Sequence, residues 1–158
     1  FKNKKLKIFK ADLTKKLKIK SNTYDNVLIF NVLEHLPDYD NSLIEINRIL
    51  KKRGMIIGST PFIYQIHGAP KDYFRFTKQF FENELKKKKF NIIKIDYIGR
   101  GPFIACYSLL FAYLRFLPIF SHLFLLVCFI LDNFLQIFVK TNLKDIFPIG
   151  LIFLAKKK

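Results

Sequence analysis

The sequence predicts an α/β fold built on a mostly parallel sheet. Three observations carry this. Short apolar runs rich in β-branched residues recur at 27–30, 55–60, 91–97 and 149–155. Between the first three lie segments whose apolar residues repeat at helical spacing. Turn and cap residues punctuate the joins. Strands that alternate with helices imply crossover connections, and these favour parallel pairing.

The elements follow in order. Lys7 to Ala11 alternates polar and apolar residues and ends at Asp12, so it reads as a short strand. A basic connection follows. Val27-Leu28-Ile29-Phe30 is a continuous apolar run, as expected for a strand buried on both faces. Ser42 and Glu45 have capping-box spacing ahead of Leu43, Ile46, Ile49 and Leu50. Gly54 stands where a helix would be closed by a glycine. A strand from Met55 ends near Thr60-Pro61, and a loop rich in Gly, Pro, His and aromatic residues follows. Thr77 caps a helix running to about Lys89. Strands at Asn91–Tyr97 and Ile149–Ala155 complete the series.

Residues 103–139 are the most apolar part of the chain and form an insert within a single domain spanning 1–158. Pro118 divides the insert. A bilayer-spanning helix needs about 20 predominantly apolar residues. Ile119 to Val139 has that length, but Asp132 would be costly near a bilayer centre. Three readings stay open: a hairpin or amphipathic anchor lying in one leaflet, a helical cap over a pocket, and a spanning helix. Lys140, Lys144 and Lys156 to Lys158 flank the insert and suit anionic headgroups.

Net charge is +16, from 23 Lys and 5 Arg against 12 acidic residues. Abundant Lys, Asn, Ile and Phe together indicate an AT-rich coding composition as the main cause. An anionic membrane surface is the partner next favoured. Nucleic acid is disfavoured, because Arg, the residue suited to bidentate phosphate and base contacts, is scarce. Cys106 and Cys128 lie in apolar runs without metal-ligand spacing, so both read as buried thiols. A cytoplasmic protein, peripheral on the inner face of the membrane, is the localisation these features suggest.

Ligands of open α/β sheets bind beyond the carboxyl ends of the strands. Asp12, the run Asn31-Val32-Leu33-Glu34-His35 and the loop 61–77 all fall there. The run Tyr24-Asp25-Asn26-Val27, then Asn31 to Leu36, then Glu45-Ile46-Asn47-Arg48-Ile49-Leu50-Lys51-Lys52-Arg53-Gly54 resembles the type 11 family of S-adenosylmethionine-dependent methyltransferases. Arg53 stands where that family's first glycine usually lies. The resemblance covers residues 8–100 and the final strand, and it implies a class I, Rossmann-like sheet.

It also implies S-adenosylmethionine as cofactor. On this resemblance Asp12 would accept a hydrogen bond from the adenine amino group, and Leu13 would face the adenine. Asn31 and Val32 would lie along the cofactor, and His35, in the family's Leu-Glu-His signature, joins the cofactor-binding set. Some relatives bind a metal through Glu-x-x-Glu-His. Here Asn31 replaces the first Glu, so no metal site is expected. The loop around His67-Gly68-Ala69-Pro70-Lys71-Asp72-Tyr73-Phe74-Arg75 resembles a subgroup of the family. His67 is a candidate general base, and Asp72 and Arg75 are candidate substrate-binding residues. An Asp72–Arg75 pair that only shapes the loop is the alternative.

The family's glycine-rich turn and first strands have no counterpart in the sequence, so these residues alone are expected to bind cofactor weakly and to be inactive unaided. The function implied is methyl transfer to a small-molecule or lipid- or glycan-linked acceptor. A non-enzymatic membrane-surface protein with a degenerate methyltransferase fold is the other reading.

Overall fold

The computed structural model describes residues 8–68 and 71–158. Its elements are β1 (Tyr24–Phe30), a 3-10 turn (Leu33–His35), α1 (Tyr39–Ile49), β2 (Leu50–Pro61), α2 (Lys78–Lys87), β3 (Phe90–Ile98), α3 (Pro102–Leu114), α4 (Pro118–Phe138), α5 (Leu143–Ile146) and β4 (Gly150–Lys157). Residues 8–11 of the first expected strand are irregular, and its Lys7 lies outside the described residues.

The strands form one sheet in the order β1-β2-β4-β3. β1 and β2 pair in parallel, while β4 pairs antiparallel with both β2 and β3. The sheet is therefore mixed, which corrects the mostly parallel expectation. β1, β2 and β3 run the same way because α1 and α2 return the chain across the sheet between them. β4 arrives from the insert, enters from the opposite end and fills the slot between β2 and β3.

One face of the sheet carries the core. Leu43 and Ile46 of α1 and Phe81 and Leu85 of α2 pack on Ile56, Leu151 and Phe153, all essentially inaccessible to solvent. The Phe81 and Phe153 rings stack with centroids 4.5 Å apart. Phe153 lies over Gly58, where any Cβ would overlap its ring, so only glycine fits there. The other face is open among the described residues. Ile29 is buried, but its neighbours Leu28 and Phe30 are 63% and 49% exposed. β1 is thus covered on one face, not two as its unbroken apolar run suggests.

Two local expectations also shift. Asp38, not Ser42, caps α1, accepting from the Asn41 amide at 2.9 Å. Ser42 lies inside the helix and donates to the carbonyls of Leu13 and Asp38. Gly54 lies in β2 rather than closing the helix. The left-handed position is Arg53, at φ 65°, which accounts for the preference for glycine there. Thr77 caps α2 as expected, accepting from the Phe80 amide.

The insert is a pair of packed helices. Pro118 occupies the first turn of α4, where its missing N–H is not needed. Asp132 is fully buried and caps the other helix, accepting from the Phe103 and Ile104 amides at 3.0 and 2.9 Å. A carboxylate at a helix N-terminus is favourable, so Asp132 is not a bare charge on the apolar surface. Tyr107 and Ser121 hydrogen-bond across the pair at 2.9 Å. Most remaining large side chains, including Phe111, Phe116, Ile119, Leu123 and Ile137, are exposed. α4 is long and apolar enough to cross a membrane by length and composition. Cys128 is buried but Cys106 is exposed, which corrects the expectation for the latter.

Candidate active site

A cleft of about 560 Å³ opens at the carboxyl ends of β1, β2 and β3. Asn31 lies at the mouth of β1. It takes φ 51°, a conformation Asn tolerates, and its amide donates to the Ser59 carbonyl at 2.9 Å. The turn this creates sends Val32 against the core and buries Leu33. His35 follows, facing the cleft. From β2 come Ser59, Thr60 and Pro61, then Tyr64 and His67 from the loop beyond it. Ser108 of α3 closes one side, so the insert forms part of the wall.

The loop after β2 is tied to the turn after β1. The Tyr73 amide donates to the Glu34 carbonyl at 2.8 Å, and His35 Nδ1 lies 2.7 Å from the Lys71 carbonyl. A carbonyl oxygen can only accept, so Nδ1 carries the proton and Nε2 is left with its lone pair. The His35 and His67 rings meet edge to face, with centroids 4.8 Å apart, and Tyr64 packs on His67 at 5.0 Å.

Asp72 and Arg75 form a two-pronged pair. Arg75 Nη1 donates to Asp72 Oδ1 at 2.6 Å and Nη2 donates to Oδ2 at 2.7 Å. Asp72 Oδ2 also accepts from the His67 amide at 3.1 Å. These bonds, chiefly those from Arg75, hold the Asp72 carboxyl well below the usual carboxylate range. The pair shapes the loop that presents His67, and neither member lines the cleft.

Glu34 was not singled out from the sequence as a site residue. Its side chain is fully buried, and neither carboxylate oxygen has a hydrogen-bond partner. A Glu34 oxygen lies 3.8 Å from His35 Nε2. Burial pushes its carboxyl up from the ordinary value, opposed by its own backbone amide and, less strongly, by the two histidines. The sequence signal for it is its place in the Leu-Glu-His run. Glu34→Gln is expected to stabilise the protein at neutral pH by about 1–2 kcal/mol, since it removes an unpaired buried acid. For a carboxyl raised by folding, the native state holds more protons in the window above the unfolded pKa. Wild-type stability should therefore fall as pH rises from about 4 through the folded value, then level off. Urea midpoints of both proteins across that range check this, and parallel curves would refute it.

Asp12 and Leu13 lie apart from the residues lining the cleft. Asp12 is exposed and caps a turn, accepting from the Thr14 amide at 3.0 Å and the Thr14 hydroxyl at 2.7 Å. Those bonds lower its pKa. Leu13 packs against the edge of the core. The structure thus brings Asn31, His35 and His67 together in one cleft and leaves Asp12 and Leu13 outside its wall. Ala69 and Pro70 of the loop lie outside the described residues.

Residues 1–58 match the model of a methyltransferase domain, the type 11 family. No curated protein matches the chain. Among solved structures, a SAM-dependent methyltransferase from Archaeoglobus fulgidus is 16% identical, with a TM-score of 0.61 over 97% of this chain and 68% of that one. The phosphoethanolamine N-methyltransferase 2 of Haemonchus contortus, solved with S-adenosyl-L-methionine, is 18% identical, with a TM-score of 0.54 over 92% of this chain and 36% of that one. The 4+2 cyclase SpnF is 15% identical, with a TM-score of 0.54 over 93% of this chain and 54% of that one. The chain spans 36 to 68% of the length of these three structures. The fold is that of the class I, Rossmann-like methyltransferases, and the cyclase shows that it serves other chemistry too.

Proposed function

We propose that the chain belongs to an enzyme that transfers a methyl group from S-adenosylmethionine to a lipid-linked or small-molecule acceptor at an anionic membrane surface. The observation that carries this is the cleft at the carboxyl edge of the sheet. Asn31 and His35 of the turn after β1, which lies within the residues matching the methyltransferase domain, line it, and Ser108 of the apolar insert contributes to its wall. The volume suits a small-molecule ligand.

Asn31 and Val32 offer backbone groups along the cofactor side, and Asp12 and Leu13 are assigned to the adenine end. The Asp12 carboxylate remains solvent-accessible and can accept from an exocyclic amine. The bound cofactor supplies an electrophilic methyl on sulfur. His67 stands on the acceptor side and takes the proton of an acceptor hydroxyl. The Asp72–Arg75 pair holds the His67 backbone, and His35 fixes the loop through Lys71. Alignment of nucleophile and methyl carries most of the rate.

The complete gene product, given tritiated S-adenosylmethionine and a membrane extract, should place label in the organic-soluble or small-molecule fraction. No label in either, from folded protein, would sink the reading. It would favour the second one, a membrane-surface protein without catalysis, which the exposed insert also supports.

Membrane contact has its own check. α3 and α4 present a broad apolar surface, and the surrounding lysines suit acidic headgroups. The protein is expected to float with vesicles containing anionic lipid, less so at high salt. Replacing Ile119, Leu123, Leu126 and Ile130 with Ser removes four exposed apolar side chains. Binding should weaken by at least about 100-fold, given about 1.5–3 kcal/mol for each large side chain fully buried. Equal flotation of the two proteins would reject the contact.

A further inference from the structure

We infer that Glu34, His35 and His67 form a binding site for a first-row divalent transition ion of the zinc type. The three side chains come from two separate segments, the turn after β1 and the loop after β2. One ligand atom from each lies within 4.8 Å of the other two. Tetrahedral ligands about 2.1 Å from a common ion stand roughly 3.4 Å apart.

Three features set this cluster apart from an accidental one. First, Glu34 is fully buried, and both of its oxygens lack a hydrogen-bond partner. A buried carboxylate in a folded protein is normally paired or bound to a metal. Here a ligand atom of each of two imidazoles lies within 4.8 Å of it. Second, His35 Nδ1 is engaged by the Lys71 carbonyl, which leaves Nε2 free and 3.8 Å from a Glu34 oxygen. Third, His67 Nδ1 lies 3.3 Å from both the Gln65 carbonyl and Asp72 Oδ2. Both are acceptors, so His67 Nε2 is also left with its lone pair. Metal-ligating histidines are usually oriented this way, with the second ring nitrogen donating to a carbonyl or carboxylate. Arg75 pairs with Asp72, and among the described residues no lysine or arginine lies within ion-pair distance of Glu34.

The ligand set decides the ion class. Two imidazoles and one carboxylate suit zinc, cobalt, nickel or iron, whereas magnesium and calcium prefer all-oxygen sites. His35 and His67 both line the cleft, which leaves a fourth position facing it. With an ion bound, His67 is a ligand rather than a free base, and the ion lowers the pKa of an acceptor hydroxyl in its place. The site goes beyond the methyl-transfer reading, and its test does not depend on that activity.

The test is titration of the untagged 158-residue chain with Zn²⁺ and with Co²⁺, followed by calorimetry and by the visible absorption of cobalt. One ion per chain is expected, with cobalt bands that zinc abolishes and no comparable binding of Mg²⁺. His67→Ala and His35→Ala should each weaken binding by at least about 100-fold. His122→Ala should leave it unchanged, because His122 on α4 is exposed and bonded to the Pro118 carbonyl. Circular dichroism checks that each variant is folded. Folded wild type that binds neither ion overturns the inference, as does wild-type affinity in both folded cleft variants. Mg²⁺ binding in preference to Zn²⁺ would overturn it as well.

Discussion

Arg75→Ala is expected to lower the stability of the protein by about 3–5 kcal/mol, the usual cost of removing one partner of a buried ion pair. The Asp72 side chain is only 3% exposed and Arg75 is 25% exposed. Truncating the arginine strips Asp72 of both short donors and leaves the His67 amide as its main partner. Arg75 also donates to the carbonyls of Phe74 and Gln65, so the loop loses two further ties. Arg75→Lys should recover only part of the loss, since an ammonium cannot match the two-pronged geometry. The pH dependence has a definite sign. Folding depresses the Asp72 pKa, so its contribution is complete above the unfolded value near pH 4 and is lost as pH falls toward the folded one. In Arg75→Ala that acid-side loss should shrink. Urea midpoints at neutral and acid pH measure both effects. A midpoint within about 0.5 kcal/mol of wild type would refute the account.

Arg48→Ala is expected to cost about 3 kcal/mol, through a second pair built the same way. Arg48 Nε and Nη2 donate to the Glu45 carboxylate at 2.8 and 2.7 Å. The arginine also donates to the carbonyls of Ile19 and Leu17, and Glu45 accepts from the Leu17 amide at 2.7 Å. The pair therefore fastens the basic connection before β1 to α1. Its loss should lower the urea midpoint and increase proteolysis between Lys15 and Lys20. Wild-type resistance to trypsin there, with an unchanged midpoint, would count against the clamp. Glu45 and Arg48 are among the residues by which the sequence resembles the type 11 methyltransferases. Their role here is structural, holding in place the segment that carries Asp12 and Leu13.

The candidate site was legible in parts. Asn31 and His35, which line the cleft, are legible because a strand end is a local pattern and the resemblance adds weight, whereas Val32 packs against the core. His67, Asp72 and Arg75 stood out as the ionisable residues of one loop. Their sorting was not legible: His67 faces the cleft, while Asp72 and Arg75 hold each other behind it. Glu34 is legible only as part of the Leu-Glu-His run; its burial without a hydrogen-bond partner is not, since no sequence pattern expresses that. The capping-box reading of Ser42 failed because Asp38, four residues earlier, is an equally good cap. Where α1 starts depended on which one the packing of Leu43 and Ile46 selected.

By itself the sequence determined the order of the main elements from β1 onward, the positions of the last four strands, the Thr77 cap and the break of the insert at Pro118. These depend on residues within one or two turns of each other, where propensity, periodicity and cap chemistry act. Tertiary structure alone decided that β4 enters antiparallel between β2 and β3, because strand direction is absent from a local apolar pattern. It also decided that Asp132 caps a helix 29 residues back, and that His67 meets Glu34 and His35 across the cleft. Such meetings are set by closure of the sheet and burial of its core, which bring distant residues together only once the whole domain is packed.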